Sequence, residues 1–266
     1  MNALLAPWFF RNVTSVNGGP IARMSQRQMI DAWGQPSFEC YAYLSEEFQR
    51  REHNHYYGSC EGGGAAPTLL EARHRAISEA IERWCYLYIT QKTPELSCEY
   101  GFDVEPSTTG MAAFPSLFTS SARRIALLEA IERWSVTHWW KGDLAASNLP
   151  AQKASLPFCG VELLTPFEHA TVVILWRTST HSTTAFGFAA ADSVDAAVRK
   201  AAVELVRNER ILASIPPEAG NLSGSLREQR LQWFSRSEGF QRFKDRMECS
   251  ENAKMISSEK CSNLKI

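Results

Sequence analysis

Two stretches, Glu79-Ala-Ile-Glu-Arg-Trp84 and Glu129-Ala-Ile-Glu-Arg-Trp134, are identical letter for letter. Both lie in runs whose apolar residues fall at helical spacing. Leu69, Ala72, Ala76, Ile77, Ala80, Ile81, Trp84 and Leu87 form the first run, and Ile125, Leu128, Ile131 and Trp134 the second. A weaker third copy runs from Lys200-Ala201 to Glu204-Leu-Val-Arg207, in line with Arg75-Ala76 to Glu79-Ala-Ile-Glu82. Repetition of this kind points to a fold assembled from duplicated units.

The helix limits can be read from their punctuation. Thr68 with Glu71 three residues on forms a capping box, so the first helix is predicted to open there, just after Pro67. The second is predicted from near Ser120 and ends by Gly142, a residue that readily takes the left-handed conformation closing a helix. The third follows Asp192 as N-cap and stops before Pro216-Pro217.

Strands are expected between them at Phe38 to Leu44, Ala170 to Arg177 and Thr183 to Phe188, which are rich in aromatic and β-branched residues. The last two form a hairpin across Thr178 to Ser182. Strands alternating with long helices make this an α/β or α+β domain. Leu226 to Arg246 reads as an amphipathic helical segment carrying Leu231, Trp233, Phe234, Phe240 and Phe243. From Met247 the chain turns polar, and Glu248 to Ile266 are expected to be poorly ordered. The division is thus a strand-containing N-terminal segment (1–56) belonging to the same domain, a core (57–246) and a polar tail (247–266).

Bulk properties narrow the function. With 266 residues, 44% hydrophobic and 21% charged, the chain can bury a sizeable core. A formal net charge of −1 argues against bulk nucleic-acid binding, which needs a basic surface. No apolar run reaches the roughly 18 residues that span a membrane. Met1 to Phe10 lacks the basic flank and cleavage site of a secretory signal, and the seven cysteines show no paired spacing. The expectation is a cytoplasmic protein with reduced thiols.

Glu79 and Glu82 share one helix face, as do Glu129 and Glu132. Like charges at that spacing repel unless a cation stands opposite. If the repeated helices pack together, four carboxylates converge with Arg83 and Arg133 beside them, and Glu204 joins from the third. Such a cluster suits Mg²⁺, which takes carboxylate oxygens, waters and nucleotide phosphates, with arginines on the phosphates. A single Glu-x-x-Glu-Arg would ordinarily be a solvated ion-paired face. A solvated face, however, has no reason to repeat both charges together with their Trp.

Other groupings carry less. His53-x-His55 with Cys60 lacks the second ligand pair of a structural zinc. Gly62-Gly63-Gly64 lacks the Gly-Lys-Ser/Thr of a P-loop, leaving a glycine-rich approach to phosphates or an entry loop. The tryptophans Trp84, Trp134, Trp139 and Trp140 continue apolar stripes and read as core, and Cys85 as an inert thiol. His138, near a helix end, is a weak candidate base.

The stretch from Gly62-Gly-Gly-Ala-Ala-Pro-Thr68 through Arg75-Ala-Ile-Ser-Glu-Ala-Ile-Glu-Arg83 resembles the first signature of YcaO proteins. The second repeat, running into His138-Trp-Trp-Lys-Gly142, is similar to that family's second acidic helix. Gly187-Phe-Ala-Ala-Ala-Asp192 leading to Glu204-Leu-Val-Arg207 resembles its third. The match covers roughly Tyr57 to Ala213.

The resemblance implies a YcaO-like domain of repeated strand and long-helix units with internal pseudo-symmetry. It implies ATP and Mg²⁺ as cofactors, with Glu79, Glu82, Glu129, Glu132 and Glu204 holding the metal and Arg83 and Arg207 facing phosphates. The implied activity is phosphorylation of peptide backbone amides, chiefly cyclodehydration of Cys, Ser or Thr to azolines in a ribosomally made precursor peptide. A leader-binding partner protein accompanies it, and the family resemblance is compatible with a homodimer. Three positions depart from the family pattern: Arg75 replaces the opening serine, and Leu117 and Ser121 stand where the second signature carries Asn and Glu. The chain also reads as C-terminally truncated, without the family's proline-rich tail. These departures leave a non-catalytic scaffold for precursor peptide or partner enzyme as the alternative.

Overall fold

Thr68 does cap the first long helix: its hydroxyl oxygen accepts from the Glu71 N–H at 3.3 Å, and its O–H donates to the Glu71 carboxylate at 3.1 Å. In this computed structural model the described residues are 12–15, 18–48, 60–102, 108, 111–112, 119–149, 156–179, 183–215, 222, 224 and 226–250. His53, His55, Tyr57, Leu117, the 180–182 link and the tail from 251 lie outside them.

The chain forms two compact units. The first holds β1 (Ile21–Ile30), β2 (Pro36–Leu44) and β3 (Gly62–Ala66), an antiparallel sheet in that order, followed by helix α1 (Leu69–Lys92). Helix α2 (Thr119–Lys141) follows, with the part from Leu128 counted in the second unit. The second unit then adds β4 (Ala146–Asn148), β5 (Cys159–Leu163), β6 (Thr171–Thr178) and β7 (Thr184–Ala191), again antiparallel and in order. Three helices close it: α3 (Val194–Ala213), α4 (Leu226–Ser235) and α5 (Ser237–Ser250). The result is a mixed α/β molecule of the α+β kind, in keeping with the expected fold class.

Each unit is built by laying a helix across a sheet whose last strand is small-residued. In the first, Cys40, Ala42 and Leu44 of β2 pack against Ala72, Ala76, Ile77, Ala80 and Leu87 of α1. In the second, Val172, Ile174, Leu175, Ala189 and Ala191 are buried, as are Ala197, Val198, Ala201, Ala202 and Leu205 of α3. The contact is backbone to backbone. A Cβ on Gly62 would stand 2.0 Å from the Ala76 carbonyl oxygen, and one on Gly187 2.1 Å from that of Ala201.

The glycine triplet is therefore a strand in close contact with a helix, correcting both the phosphate-loop and the entry-loop expectations. Glycine is there for close approach, as strand–helix packing sometimes demands.

Three further expectations shift. Ser193, not Asp192, caps α3, its hydroxyl oxygen accepting the Ala196 N–H at 3.3 Å. The amphipathic segment from Leu226 is two helices broken at Arg236. Residues 248–250 belong to α5, so the helix runs past the point where the tail was expected to begin.

The rest of the helix reading holds. Gly142, at φ 98°, does terminate α2, and α3 ends before the proline pair. Arg246 of α5 clasps the end of α2 and the turn after it, donating to the Trp139 and Leu144 carbonyls. Around it Trp139, Trp140, Trp176, Phe186, Phe234 and Phe243 form an aromatic core in edge-to-face and tilted contacts. No helix among the described residues is long and apolar enough to cross a membrane, and their cysteines are free thiols.

Candidate functional site

Three of the repeated glutamates, Glu79, Glu132 and Glu204, stand at the outer edges of the two sheets. In an antiparallel ladder alternate residues direct their N–H and C=O groups to opposite sides, so the last strand leaves every second residue unpaired. In β3 these are the odd positions. The Gly63 N–H donates to the Glu79 carboxylate at 2.6 Å, and the Ala65 carbonyl accepts from Arg75 at 2.7 Å. In β7 they are the even positions. The Phe186 carbonyl accepts from Asn208 at 2.7 Å and the Phe188 N–H donates to Glu204 at 3.0 Å. At Ala190 the N–H donates to Glu132 at 3.1 Å and the carbonyl accepts from Lys200 at 3.2 Å.

Two of these arrangements are the same arrangement. An offset of 125 residues carries Gly62 to Gly187, Gly63 to Phe188, Thr68 to Ser193, Arg75 to Lys200 and Glu79 to Glu204, with matching contacts throughout. The structural partner of the α1 copy is thus the weak third copy in α3. Among the described residues no strand leads into the letter-perfect copy in α2, and its Glu132 reaches β7.

In the first unit the Glu79 carboxylate is shared between the Gly63 N–H and the Arg83 guanidinium. Arg83 is largely buried, its side chain 16% exposed. Glu82 is half-buried, one turn from Cys85. Burial first, and then the Glu82 charge, push the Cys85 thiol up, so it stays protonated and unreactive at neutral pH.

The second unit is less well compensated. Glu132 and Glu204 hold N–H groups two residues apart on one strand edge, which sets the carboxylates side by side. Enclosure raises the Glu132 carboxyl most, and the Glu204 charge next. The Arg133 charge and the Ala190 N–H oppose this, Glu129 adds to it, and the carboxyl is pushed up to about 8. Arg133 is too exposed to quench the pair: its side chain is 51% exposed, 3.9 Å from Glu129. Arg207 lies on α3, half-buried, a turn beyond Glu204.

Among the described residues no three acidic, histidine or cysteine side chains form a ready metal cage. Mg²⁺ does not need one; it is commonly held by one or two carboxylates, with waters and phosphate oxygens completing the shell. Glu132 and Glu204 each give one oxygen to a strand N–H. The Glu132–Glu204 pair therefore fits a hard cation, which would relieve the repulsion that otherwise requires a proton.

His138 does not face this pair. It stands six residues, about one and two-thirds turns, beyond Glu132 and so about a third of the way round α2 from it. Its Nδ1 meets Asp143 at 2.8 Å, and the Asp143 N–H caps the His138 carbonyl. That is a helix-end clasp. Sequence reasoning missed Lys200 and Asn208 as sealing residues, although the alignment of the first and third copies contained that signal.

No family model and no curated protein sequence matches the chain. A solved structure does: YcaO from Methanopyrus kandleri bound with AMPPCP and Mg²⁺, at TM-score 0.57 and 14% identity. The match covers 100% of this chain and 78% of that one. At that identity the likeness is one of fold: the chain has a YcaO-like fold.

Proposed function

We propose that this protein activates peptide backbone amides with ATP and Mg²⁺, most directly in the cyclodehydration of Cys, Ser or Thr in a ribosomally made peptide. The observation that carries the reading is the Glu132–Glu204 pair, two adjacent anchored carboxylates of which one is pushed up to about 8. Its support is the three-signature resemblance and the likeness to a fold that holds AMPPCP and Mg²⁺.

The bound nucleotide and metal would supply a transferable phosphoryl group and neutralise its charge. The chain's residues do the positioning. Glu132 and Glu204, with Glu129 nearby, hold the cation, and Arg207 meets phosphate. By the same resemblance Glu79 and Glu82 would hold the cation and Arg83 would meet phosphate in the first unit, where Arg83 already binds Glu79. In the net reaction a side-chain thiol or hydroxyl closes onto the preceding amide carbon. The amide oxygen leaves as phosphate and ATP becomes ADP.

One observation favours the scaffold reading. Glu79, Glu132 and Glu204 all perform a structural task, sealing strand edges, which needs no nucleotide. Thermal unfolding separates the two. A non-hydrolysable ATP analogue should raise the melting temperature only when Mg²⁺ is present, because a ligand of the native state stabilises it. No rise with or without Mg²⁺ supports the scaffold instead.

A further inference from the structure

β3 and β7 end their sheets under a row of helix side chains. The long edge at the other end of the first sheet is treated differently. β1 is ten residues long and terminal in the order β1–β2–β3. Because Gly63 directs its N–H away from β2, the odd residues of β2 bond to β1. The register Tyr41 to Ser25 and Glu39 to Arg27 then commits the odd residues of β1 to that ladder. Pro36, which has no N–H to give, sits opposite Ile30 and agrees with this parity. The outward groups of β1 therefore belong to Met24, Gln26, Gln28 and Ile30. Among the described residues only the strand's start is covered, by the short parallel bridge of Thr14 to Ile21.

An edge of this length is a template for another strand. Its chemistry selects which one. β1 reads Ile-Ala-Arg-Met-Ser-Gln-Arg-Gln-Met-Ile, with two arginines and no acid. Both arginines project from one face and are braced by β2. The Arg23 guanidinium lies 3.8 Å over the Tyr43 ring. Arg27 donates to Glu39 at 2.8 Å and to the Tyr41 hydroxyl at 2.8 Å, yet keeps 52% of its side chain exposed. A second copy of β1 would bring only like charge, whereas an extended acidic segment brings complementary charge at every second residue.

We infer that the outer edge of β1 is a docking strand for an extended, acidic peptide segment, added by main-chain hydrogen bonds to Met24, Gln26 and Gln28 and steered by Arg23 and Arg27. The inference is independent of the nucleotide chemistry proposed above, and its test uses no ATP.

Fluorescence anisotropy of a labelled peptide of alternating glutamate and valine, added to the full chain at low salt, should show saturable binding. Arg23→Glu should weaken it about tenfold or more through lost charge complementarity. Gln26→Pro removes one outward N–H while sparing the β1–β2 ladder, and should weaken it comparably. If the proline variant does not fold, the exposed Arg23→Glu still decides the matter. Absence of binding by the wild type overturns the inference, as does binding that both variants retain or that a lysine–valine peptide matches. A wild-type dimer in sedimentation that Gln26→Pro dissociates also overturns it, because a second copy would then hold the edge.

Discussion

The β3–α1 pair of the first unit and the β7–α3 pair of the second are two versions of one device, and they differ where the charge is settled. In both, a glycine lets the strand touch the helix backbone, a hydroxyl caps the helix, and a basic residue and a glutamate seal the strand edge. In the first, Arg83 follows four residues after Glu79 and binds it. In the second the equivalent of Arg83 is Asn208, which is turned to the Phe186 carbonyl, and Glu132 arrives from α2 as a second carboxylate. A sealing glutamate with its own arginine is a finished structural element. One that meets another carboxylate is left wanting a proton or a cation. Chemistry is therefore expected from the second version.

The largest effect should show that the device really is shared. Gly62→Ala and Gly187→Ala each force a methyl group into a helix carbonyl, and each should cost about 3 kcal/mol or more in urea unfolding. A tolerated substitution at either position would break the equivalence of the two pairs.

The next effect separates them. Glu79→Gln weakens the hold on a largely buried arginine and should destabilise by about 1–3 kcal/mol at any pH between 6 and 9. Glu132→Gln should behave oppositely. The folded Glu132 carboxyl titrates at about 8, above its ordinary 4.5, so the native state binds more protons than the unfolded one between those values. Its stabilising contribution is present at low pH and is lost as pH rises through about 8. The variant should therefore gain on the wild type by more than about 1 kcal/mol at pH 9 relative to pH 5, given about 1.4 kcal/mol per pKa unit. Parallel pH curves for the two proteins would place Glu132 in an ordinary solvated setting.

A smaller effect returns to what the units share. Thr68→Ala and Ser193→Ala remove matching caps, and each should lower stability by about 1 kcal/mol. A clear inequality would sharpen the comparison by showing which unit unfolds first.

Much of this was legible in the sequence, though with the wrong weighting. Thr68, Gly142 and the apolar stripes placed the start of α1 and both ends of α2 within a residue or two, because caps and helical periodicity are local physics. The repeat was visible too, but letter identity misled. α1 and α2 share Glu-Ala-Ile-Glu-Arg-Trp, whereas the structural duplicate of α1 is α3. What that duplication requires is a small residue at the strand–helix contact and one glutamate, and few other letters are constrained. β1 was not legible, since a strand exposed along most of its length has no apolar alternation to reveal it. Nor was β3, because glycine is depleted in strands and only the tertiary contact with α1 explains three in a row. The pairing of Glu132 with Glu204 lay beyond sequence altogether, as it depends on two helices meeting one strand edge.

The central claim is that this second carboxylate pair holds a nucleotide-bound cation. Isothermal titration of a non-hydrolysable ATP analogue into the wild type, Glu132→Gln and Glu204→Gln, with and without Mg²⁺, tests it most directly. The account predicts binding by the wild type that requires Mg²⁺, releases a proton near pH 7, and falls about tenfold or more in each variant. Binding that ignores Mg²⁺, or that both folded variants retain in full, would contradict it.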